Sequence, residues 1–282
     1  MPATVSELAI YPIKSIQGIK LTQAVATDSG FFNDRRYMLV KRSGEFITGR
    51  ENPSLTLVRC TIHPDDTLEL SHPDSDIPLV INPHSFSDSR ITVTIWENEV
   101  EARLCGSECD QWFSSVLGEE VLLTFFDQDS KRVTKRRPDR PVAFADGYPY
   151  LITSTASLDA LNDRCSEEMT MDRFRSNIVV DHCDAFAEDT WQTIRIGEAI
   201  FEATKPCARC IFTTLDPITA QRSRKGEPIK TLAKFRMTAE KEVTFGMNFV
   251  CIQEGIVKQN DPIEVMSYRE AEHYQDKTLI KK

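Results

Sequence analysis

The chain lacks any long hydrophobic run. None of its apolar stretches approaches the roughly 18 residues that a helix needs to cross a bilayer. The N-terminal segment MPATVSELAIYPIKS also lacks the basic region and apolar core that mark a secretory signal peptide. We therefore expect a cytoplasmic protein with no membrane partner.

Positive charge is also in short supply. The 34 Lys and Arg residues are outnumbered by 43 Asp and Glu residues, and the formal net charge is -9. Because neutralising phosphates requires an excess of cations, no nucleic-acid partner is expected. Two local basic clusters, at residues 131–140 and 222–230, run against this balance. Such clusters are typical of a solvated loop, and the alternative is a docking surface for an acidic protein or an anionic ligand.

A disulfide framework is missing as well. The 8 cysteines are scattered through 282 residues without a regular spacing, so we expect reduced thiols, most of them packed as small apolar side chains. With 40% hydrophobic and 27% charged residues, the composition is that of a folded globular protein. A chain of this length is expected to form two lobes or one large β-rich domain.

Short segments rich in β-branched and aromatic residues dominate the sequence. Gly, Pro, Asn, Asp and Ser turns separate them, which predicts a strand meander or barrel over residues 1–105. Apolar spacing predicts a helix from Ser107 to Leu117 that Gly118 ends. Two further helices are predicted over the segments SLDALNDRC and PIKTLAKFR.

The predicted fold class is therefore α+β and β-rich. The basic segment with its prolines predicts a long exposed loop between two lobes. We place an N-terminal β-barrel-like domain at residues 1–125, a second domain at 126–270 and a C-terminal tail at 271–282.

The segment KPCARCIFTTLDPITAQR, which follows the strand-like AIFEAT, concentrates chemically active side chains. Cys207 and Cys210 form a C-x-x-C motif, and Lys205 and Arg209 supply positive charge that favours thiolate over thiol. Thiolates attack electrophiles and bind metals. At least one reactive or metal-ligating sulfur is therefore expected here.

Spacing alone leaves four interpretations of this motif open. A thioredoxin-type pair sits at a strand-to-helix junction, whereas β-prone segments lie on both sides of this one. A structural zinc site needs four N or S ligands, for which Cys105 with Cys109, or His182 with Cys183, would have to supply the rest. The other two interpretations are a pair of packed thiols in a strand and a soft ligand to a transition metal other than zinc.

The same residues resemble the signature of the MOSC domain, in particular the branch of bacterial YcbX and the mitochondrial amidoxime-reducing components. The likeness continues in order through IYPIKSIQGI, NDRRYMLV, GEFITGRENP, FADGYPYLITSTASLDALN, FRSNIVV, EDTWQTIRIG and FGMNFV. It implies a MOSC β-barrel with peripheral helices, packed on an N-terminal β lobe, with a cofactor in the cleft between them. Pyridoxal phosphate binding is a further term associated with the family as a whole.

In that family the second cysteine of the motif is the protein ligand of molybdenum, within a cofactor whose pterin dithiolene supplies further sulfurs. The resemblance therefore implies that Cys210 is the metal ligand and a catalytic residue. A thiolate is a soft ligand, and we expect Arg209 and Lys205 to support its charge. Cys207 is expected to be a packed neighbour.

The resemblance also implies which residues hold the phosphate and the pterin of the molybdenum cofactor. Arginine recognises phosphate through two hydrogen bonds and lysine through a point charge. The amides that begin the helix after Ser154 offer an anion site, although Ser154 and Thr155 also suit simple capping. The implied contacts are Lys14, Ser15, Arg35, Ser154, Thr155, Arg175, Asn177, Arg209, Thr213 and Asn248.

Asp216 is a second catalytic candidate, because it lies near Cys210 in sequence and can act on a substrate amidine. An Asp before Pro most often shapes a turn, so that interpretation stands beside the first. Ala220 and Gln221 occupy positions where relatives often have glycine, which leaves the conformation of this loop open.

The implied activity is the two-electron reduction of N-hydroxylated small molecules: amidoximes, hydroxylamines and N-hydroxylated nucleobases. The C-terminal segment SYREAEHYQDKTLIKK carries no four-cysteine motif, so no intrinsic iron-sulfur cluster is expected. Electrons are then expected from a separate protein of the ferredoxin, flavodoxin or flavoprotein reductase type. The alternative function is a carrier of molybdenum cofactor, or of sulfur as a persulfide, without turnover of its own.

Overall fold

The computed structural model describes residues 2–274, 276 and 277. Strands dominate this part of the chain, and three α-helices accompany them. The expectation of a β-rich α+β fold is therefore confirmed. The predicted C-terminal tail is covered only in part, because residues 275 and 278–282 lie outside the described residues. None of the described helices combines the length and the hydropathy that crossing a bilayer requires.

The first half of the chain supplies many short strands and one helix. In chain order they are β1 (Thr4–Ile10), β2 (Ile19–Leu21), β3 (Gln23–Thr27), β4 (Gly30–Phe31), β5 (Tyr37–Val40), β6 (Arg59–Ile62), β7 (Leu68–His72), β8 (Ser75–Ile81), β9 (Arg90–Ile95), β10 (Asn98–Leu104), α1 (Ser107–Leu117) and β11 (Leu122–Phe125). Helix α1 has the predicted bounds. Gly118 ends it with a φ of 69°, in the left-handed region that glycine adopts at low cost.

The second half carries longer strands and two helices. They are β12 (Tyr150–Ser154), α2 (Thr155–Asn162), β13 (Ile178–Asp181), β14 (Trp191–Ile196), β15 (Ala199–Ala208), α3 (Ile229–Phe235), β16 (Thr244–Gln253), β17 (Gly255–Lys258) and β18 (Ile263–Tyr268). Short 3-10 turns lie between them at Met171–Phe174, Ala187–Thr190 and Ile211–Thr214.

One large sheet joins the two ends of the chain. Its strand order is β18-β14-β15-β16-β12-β13-β1-β2, with β12 and β13 parallel and the other neighbours antiparallel. Strand β3 similarly pairs with β17. Strand pairing therefore crosses the predicted boundary between residues 125 and 126, because the first strands complete the sheet of the second half.

The N-terminal lobe contains the remaining sheets. Their strand orders are β5-β11-β10-β9 and β6-β7-β8, and a separate apolar core packs beneath α1. The segment EFITG, which lies within the predicted meander or barrel, forms only isolated bridges, and Pro53–Leu57 forms a 3-10 turn. Proline suits the first position of such a turn, because its fixed φ is already helical and its missing N–H is not needed there.

The basic segment 131–140 is a loop, but its expected exposure is only partly correct. Arg132 is buried, and its guanidinium donates to the carbonyl oxygens of Ala143 and Asp146, each at 2.8 Å. Arg137 pairs with Glu202 at 2.6 Å. Backbone carbonyls in a loop have no strand partner, so buried arginines satisfy them. This anchoring fixes the position of Asp146.

Candidate active site

A cleft of about 260 Å³ lies where segments from both halves of the chain meet. Most of the residues implied by the resemblance line it. They are Lys14, Ser15, Arg35, Arg175, Asn177, Arg209, Cys210, Thr213 and Asn248, and Cys207, the expected packed neighbour, lines the cleft beside them. The fold therefore brings together residues that are far apart in sequence.

Cys210 lies two residues after the end of β15 and immediately before the 3-10 turn Ile211–Thr214. The backbone N–H and the hydroxyl of Thr213 both donate to the Cys210 carbonyl oxygen, at 3.1 and 3.0 Å, which holds this turn in place. The Cys210 residue is exposed. Within the described part of the chain its thiol makes no hydrogen bond. It is thus a soft, accessible donor that no protein group already occupies.

Arg209 contacts the other cysteine of the motif. Its Nη1 donates to Sγ of Cys207 at 2.9 Å, and its Nη2 donates to the carbonyl oxygen of Phe174 at 2.7 Å. Its Nε is buried and has no partner among the described residues. Lys205 is held by Glu242, with Nζ to oxygen distances of 3.0 and 2.9 Å. Arg209 and Lys205, the two cations expected to support Cys210, therefore contact Cys207 and Glu242 instead.

Asn177 fixes the guanidinium of Arg35. Arg35 has a φ of 47°, and its Nη1 donates to Oδ1 of Asn177 at 2.9 Å. Its Nη2 reaches the carbonyl oxygen of Arg175 at 3.1 Å. The amide nitrogen of Asn177 donates in turn to Ala9 and Asp34, each at 3.2 Å. With its polar atoms used in this way, Asn177 acts by positioning Arg35.

Two arginines enclose one aromatic ring at the side of the cleft. The guanidinium carbons of Arg35 and Arg175 lie 4.5 and 4.1 Å from the centre of the Tyr11 ring. Burial lowers the pKa of Arg175 to about 10, and the like charge of Arg35 is the next cause. Burial also raises the pKa of Tyr11 to about 12. Arg35 also pairs with the buried carboxylate of Asp34, whereas Arg175 forms no ion pair within the described residues. The two arginines together therefore leave an excess of positive charge, which favours a further anion beside them.

Lys14 is a further cation of the cleft, and it is buried. Its Nζ donates to the carbonyl oxygen of Phe144 at 3.0 Å and forms an ion pair with the carboxylate of Asp146. Burial lowers the pKa of Lys14, and Asp146 acts against this shift. Low solvation in the cleft works to raise the pKa of Asp146, but the charge and hydrogen bond of Lys14 bring that pKa below its usual value. Next to Lys14, Ser15 has a φ of 74°.

Asn248 reaches the cleft from the strand beside the motif. Strand β16 pairs with β15, and Nδ2 of Asn248 lies 3.5 Å from the carbonyl oxygen of Pro206. The Asn248 residue is buried. It therefore offers an amide at the cleft surface next to Cys207.

Ser154 and Thr155 lie outside the cleft lining. Ser154 caps α2 by accepting from the N–H of Ser157 at 3.1 Å, and it is fully buried. The hydroxyls of Ser154 and Ser157 donate to the carboxylate of Glu188 at 3.1 and 2.8 Å. Thr155 donates to Asp181 at 2.8 Å. The anion at the start of this helix is thus a carboxylate of the protein itself.

Asp216 is likewise absent from the cleft lining. Its Oδ1 accepts from the N–H groups of Ile218 and Thr219 at 2.9 and 3.0 Å, and its Oδ2 accepts from Arg173 at 2.9 Å. Burial works to raise its pKa, but these hydrogen bonds and the charge of Arg173 lower it. The geometry corresponds to the turn-forming interpretation.

Sequence reasoning singled out no residue in two segments that line the cleft. Thr48, Gly49 and Arg50 come from GEFITGRENP, and Asp146 and Tyr148 come from FADGYPY. Arg50 stacks on Trp96, with 4.5 Å from its guanidinium carbon to the ring centre. A signal was available, because both segments carry charge beside glycine in a turn, where functional residues concentrate.

The donor set indicates what the cleft can hold. Among the residues that the structure describes, no three His, Cys, Asp or Glu side chains gather where they could hold a metal ion. Cys105 and Cys109 pack in the core of the N-terminal lobe. A closed zinc site needs four such ligands. A single free thiol among cations instead fits a metal whose other ligands belong to an anionic cofactor, and the orphaned Nε of Arg209 fits an acceptor on such a group.

Comparisons with known proteins identify the family of the chain. Residues 2–120 match the MOSC N-terminal beta barrel domain, and residues 139–264 match the MOSC domain. Mitochondrial amidoxime reducing component 2 of Bos taurus is 36% identical, in an alignment that covers 93% of this chain and 83% of that protein. Mitochondrial amidoxime-reducing component 1 of Homo sapiens is 33% identical, with the same coverage. The crystal structure of the YuaD protein from Bacillus subtilis covers 95% of this chain and 98% of its own, at 12% identity and a TM-score of 0.44. The chain belongs to the MOSC family, in the branch of the mitochondrial amidoxime-reducing components.

Proposed function

We propose that this protein is a molybdenum-cofactor-dependent reductase of N-hydroxylated compounds, with Cys210 as the protein ligand of the metal. Family membership supports a reductase associated with the molybdenum cofactor. The compounds we propose as substrates are amidoximes, hydroxylamines and N-hydroxylated nucleobases. The observation that carries the proposal is the exposed Cys210 thiol, unpartnered in the described part of the chain, in a cleft that is also lined by six buried or half-buried Lys and Arg residues.

Different residues of the cleft would contact different parts of the cofactor. Arg35, Arg175 and Lys14 supply positive charge and donors for its phosphate, and Ser15 adds a hydroxyl. Asn248 and the free Nε of Arg209 offer hydrogen bonds to the polar edges of a pterin. Thr213 and Asn177 act indirectly, by fixing Cys210 and Arg35. Because the hydroxyls of Ser154 and Thr155 are bound to Glu188 and Asp181, they are not included in this set.

The chemistry needs a reducing centre that amino-acid side chains do not provide. When bound, the molybdenum cofactor supplies the two electrons that cleave the N–O bond. The overall reaction consumes these electrons and two protons, converts an N-hydroxylated nitrogen to N–H and releases water. Cys210 contributes an electron-rich sulfur ligand, because a thiol gives up its proton when it binds a metal.

The proposed electron source lies outside the described residues. Within residues 2–274, 276 and 277, the cysteines are all free and show no clustered set that would ligate an iron-sulfur centre. We propose a separate electron-transfer protein of the ferredoxin, flavodoxin or flavoprotein reductase type. The named relatives are mitochondrial. A cytoplasmic location for this chain stays a prediction.

The decisive experiment measures molybdenum and pterin in protein from a cofactor-competent host. Wild-type protein is compared with Cys210→Ser and with Cys183→Ser, a control at a half-buried cysteine outside the cleft. Amidoxime reduction is assayed with a chemical reductant, so that the natural donor is not needed. We expect molybdenum and turnover to be lost in Cys210→Ser and kept in Cys183→Ser. Full metal content and turnover in Cys210→Ser would overturn the assignment.

The same exposed thiol also suits a carrier function. A persulfide on Cys210 would add the mass of one sulfur atom to the intact protein. A persulfide without molybdenum and without turnover, in protein from the same host, would favour the carrier over the reductase.

A further inference from the structure

A second cavity, of about 180 Å³, adjoins the cleft, and we call it the side cavity. Phe212 and Arg175 line both spaces. An engineered protein cavity of roughly 150 Å³ binds benzene, so the side cavity has room for about one six-membered ring. Its other apolar lining comes from the segment after β1 and from the loop after the Cys210 turn, at Ile16, Gly18, Leu215, Pro217 and Ile218.

Three of the four charged residues that line the side cavity are used in ion pairs. Lys20 pairs with Glu7 and Asp172, and Arg173 pairs with Asp216. The fourth, Arg175, donates to the carbonyl oxygen of Ile16 and supplies charge for the phosphate of the proposed cofactor. With that phosphate bound, the cavity does not select for an ionic ligand. Ile16 and Leu215 contribute buried apolar surface to it. A neutral, apolar group therefore fits this space best.

Phe212 forms part of the boundary at which the two spaces meet. A Cβ atom added at Gly49 would lie 2.4 Å from Cε2 of Phe212, so the ring packs directly on the Gly49 backbone. Phe212 lies two positions after Cys210 in the same short turn. A molecule that contacts this ring from the side cavity is thus next to the segment that carries the proposed metal ligand.

The outer wall of the side cavity is a shaped loop. Asp216 accepts hydrogen bonds from the N–H groups of Ile218 and Thr219, which closes the turn. Ile218 lines the cavity, yet its residue remains 68% exposed. An exposed isoleucine on a fixed loop leaves apolar surface for a ligand to cover.

We propose that the side cavity is the subsite that receives the apolar substituent of the substrate, a phenyl ring or a branched alkyl group, while its N–O group lies in the cleft beside Cys210. This inference rests on the proposed reductase function and deepens it. It makes Gln17 and Ile218, at the edge of the cavity, specificity-determining residues without a part in the chemistry. Compounds with a neutral ring of this size are the preferred substrates.

The test compares two amidoximes that differ in their substituent, a phenyl ring and a methyl group. Gln17→Phe fills the side cavity, and Ile218→Asp places a charge on its rim. The control is Ile77→Asp, at an isoleucine that is 73% exposed and lines neither space. A missing or blocked apolar contact in a pocket changes selectivity by about tenfold or more. We expect both variants to raise KM for the phenyl compound by about tenfold and to leave KM for the methyl compound and both kcat values within about twofold.

A binding measurement separates this inference from the reductase assignment. Binding of the phenyl amidine, the unreactive product, is followed by saturation-transfer NMR with wild-type protein and with Gln17→Phe. Equal effects of the variants on both substrates, or no effect on either, would overturn the subsite. If the wild-type protein reduced neither amidoxime, the reductase proposal would fall. Ring binding lost in Gln17→Phe would then still support the side cavity as a ligand site, and ring binding unchanged in that variant would exclude it.

Discussion

Nη1 of Arg209 lies 2.9 Å from Sγ of Cys207, so the two thiols of the C-x-x-C motif have different surroundings. The same guanidinium donates to the carbonyl oxygen of Phe174, which fixes its plane. Cys210, by contrast, is exposed at the cleft. Cys207 therefore orients a cation, whereas Cys210 is free to bind.

Cys207→Ala is expected to lower kcat for amidoxime reduction by about tenfold with most of the molybdenum retained. Removing one partner of a hydrogen bond to a charged group costs roughly 1.5–3 kcal/mol, and Arg209 loses its fixed orientation. Cys207→Ser keeps an acceptor at the same place and should recover most of the rate. Metal content and kcat are measured together. If Cys207→Ala lost its metal as completely as Cys210→Ser, the orienting role would be wrong.

Glu188 makes the stability of the fold depend on pH. Burial raises its pKa to about 7, and the negative charge of Asp189 is the next cause. The ordinary value for a glutamate is 4.5. A carboxyl group with a raised pKa binds more protons in the folded state than in the unfolded state. The free energy of unfolding therefore falls as pH rises from about 4.5 to about 7.

Glu188→Gln is expected to remove this decrease in the free energy of unfolding with rising pH. The neutral amide has the same shape and can still bond to the hydroxyls of Ser154 and Ser157. We expect the free energy of unfolding at pH 8 to rise on the order of 2 kcal/mol, with little change at pH 4.5. Urea unfolding across this range measures it, and Glu99→Gln, at an exposed glutamate, is the control. Parallel stability curves for wild type and Glu188→Gln would contradict the assignment.

Ala220 occupies a backbone conformation that suits glycine. Its φ is 56°, and its N–H donates to the carbonyl oxygen of Asp216 at 2.8 Å. A left-handed conformation costs an L-residue roughly 1–2 kcal/mol, part of which glycine gives back through its more flexible unfolded state. Ala220→Gly is expected to raise the free energy of unfolding by about 0.5–1 kcal/mol. The matched change Ala160→Gly, inside α2, should lower it by about 1 kcal/mol. Denaturant unfolding of both variants checks that the two free energies of unfolding change in opposite directions. A loss of stability in Ala220→Gly would argue against a left-handed backbone at this position.

Local patterns in the sequence predicted local structure well. Helix α1 follows from apolar spacing and from Gly118, because both act within a few residues. The pairing of β1 with β13 could not be predicted, because a strand's apolar pattern fixes which face is buried and not which distant strand lies beside it.

The candidate site shows the same limit. The resemblance predicted that Lys14, Arg35 and Cys210 share a cleft, and all three line the same one, although spacing alone could not choose between the two cysteines. It could not show that Glu188, 34 residues after Ser154 in sequence, fills the predicted anion site at α2. The basic composition of segment 131–140 predicted exposed side chains, but Arg132 is buried because nearby loop carbonyl oxygens need hydrogen-bond donors.

Asp216→Asn distinguishes a turn-forming residue from a catalytic one. Asparagine keeps an acceptor for the N–H groups of Ile218 and Thr219, so the loop is expected to persist. A general acid at neutral pH needs a raised pKa, whereas the pKa of Asp216 is lowered. We therefore expect kcat for the methyl amidoxime to stay within about threefold of wild type, with an unchanged pH profile.

Asp216→Ala removes both acceptors and releases the loop that carries Ile218. It should raise KM for the phenyl amidoxime by about tenfold, through loss of the apolar contact, more than KM for the methyl compound. Steady-state kinetics on metal-loaded protein separates the two effects. A drop in kcat of about a hundredfold in Asp216→Asn, with molybdenum retained, would instead show that this carboxylate takes part in proton transfer.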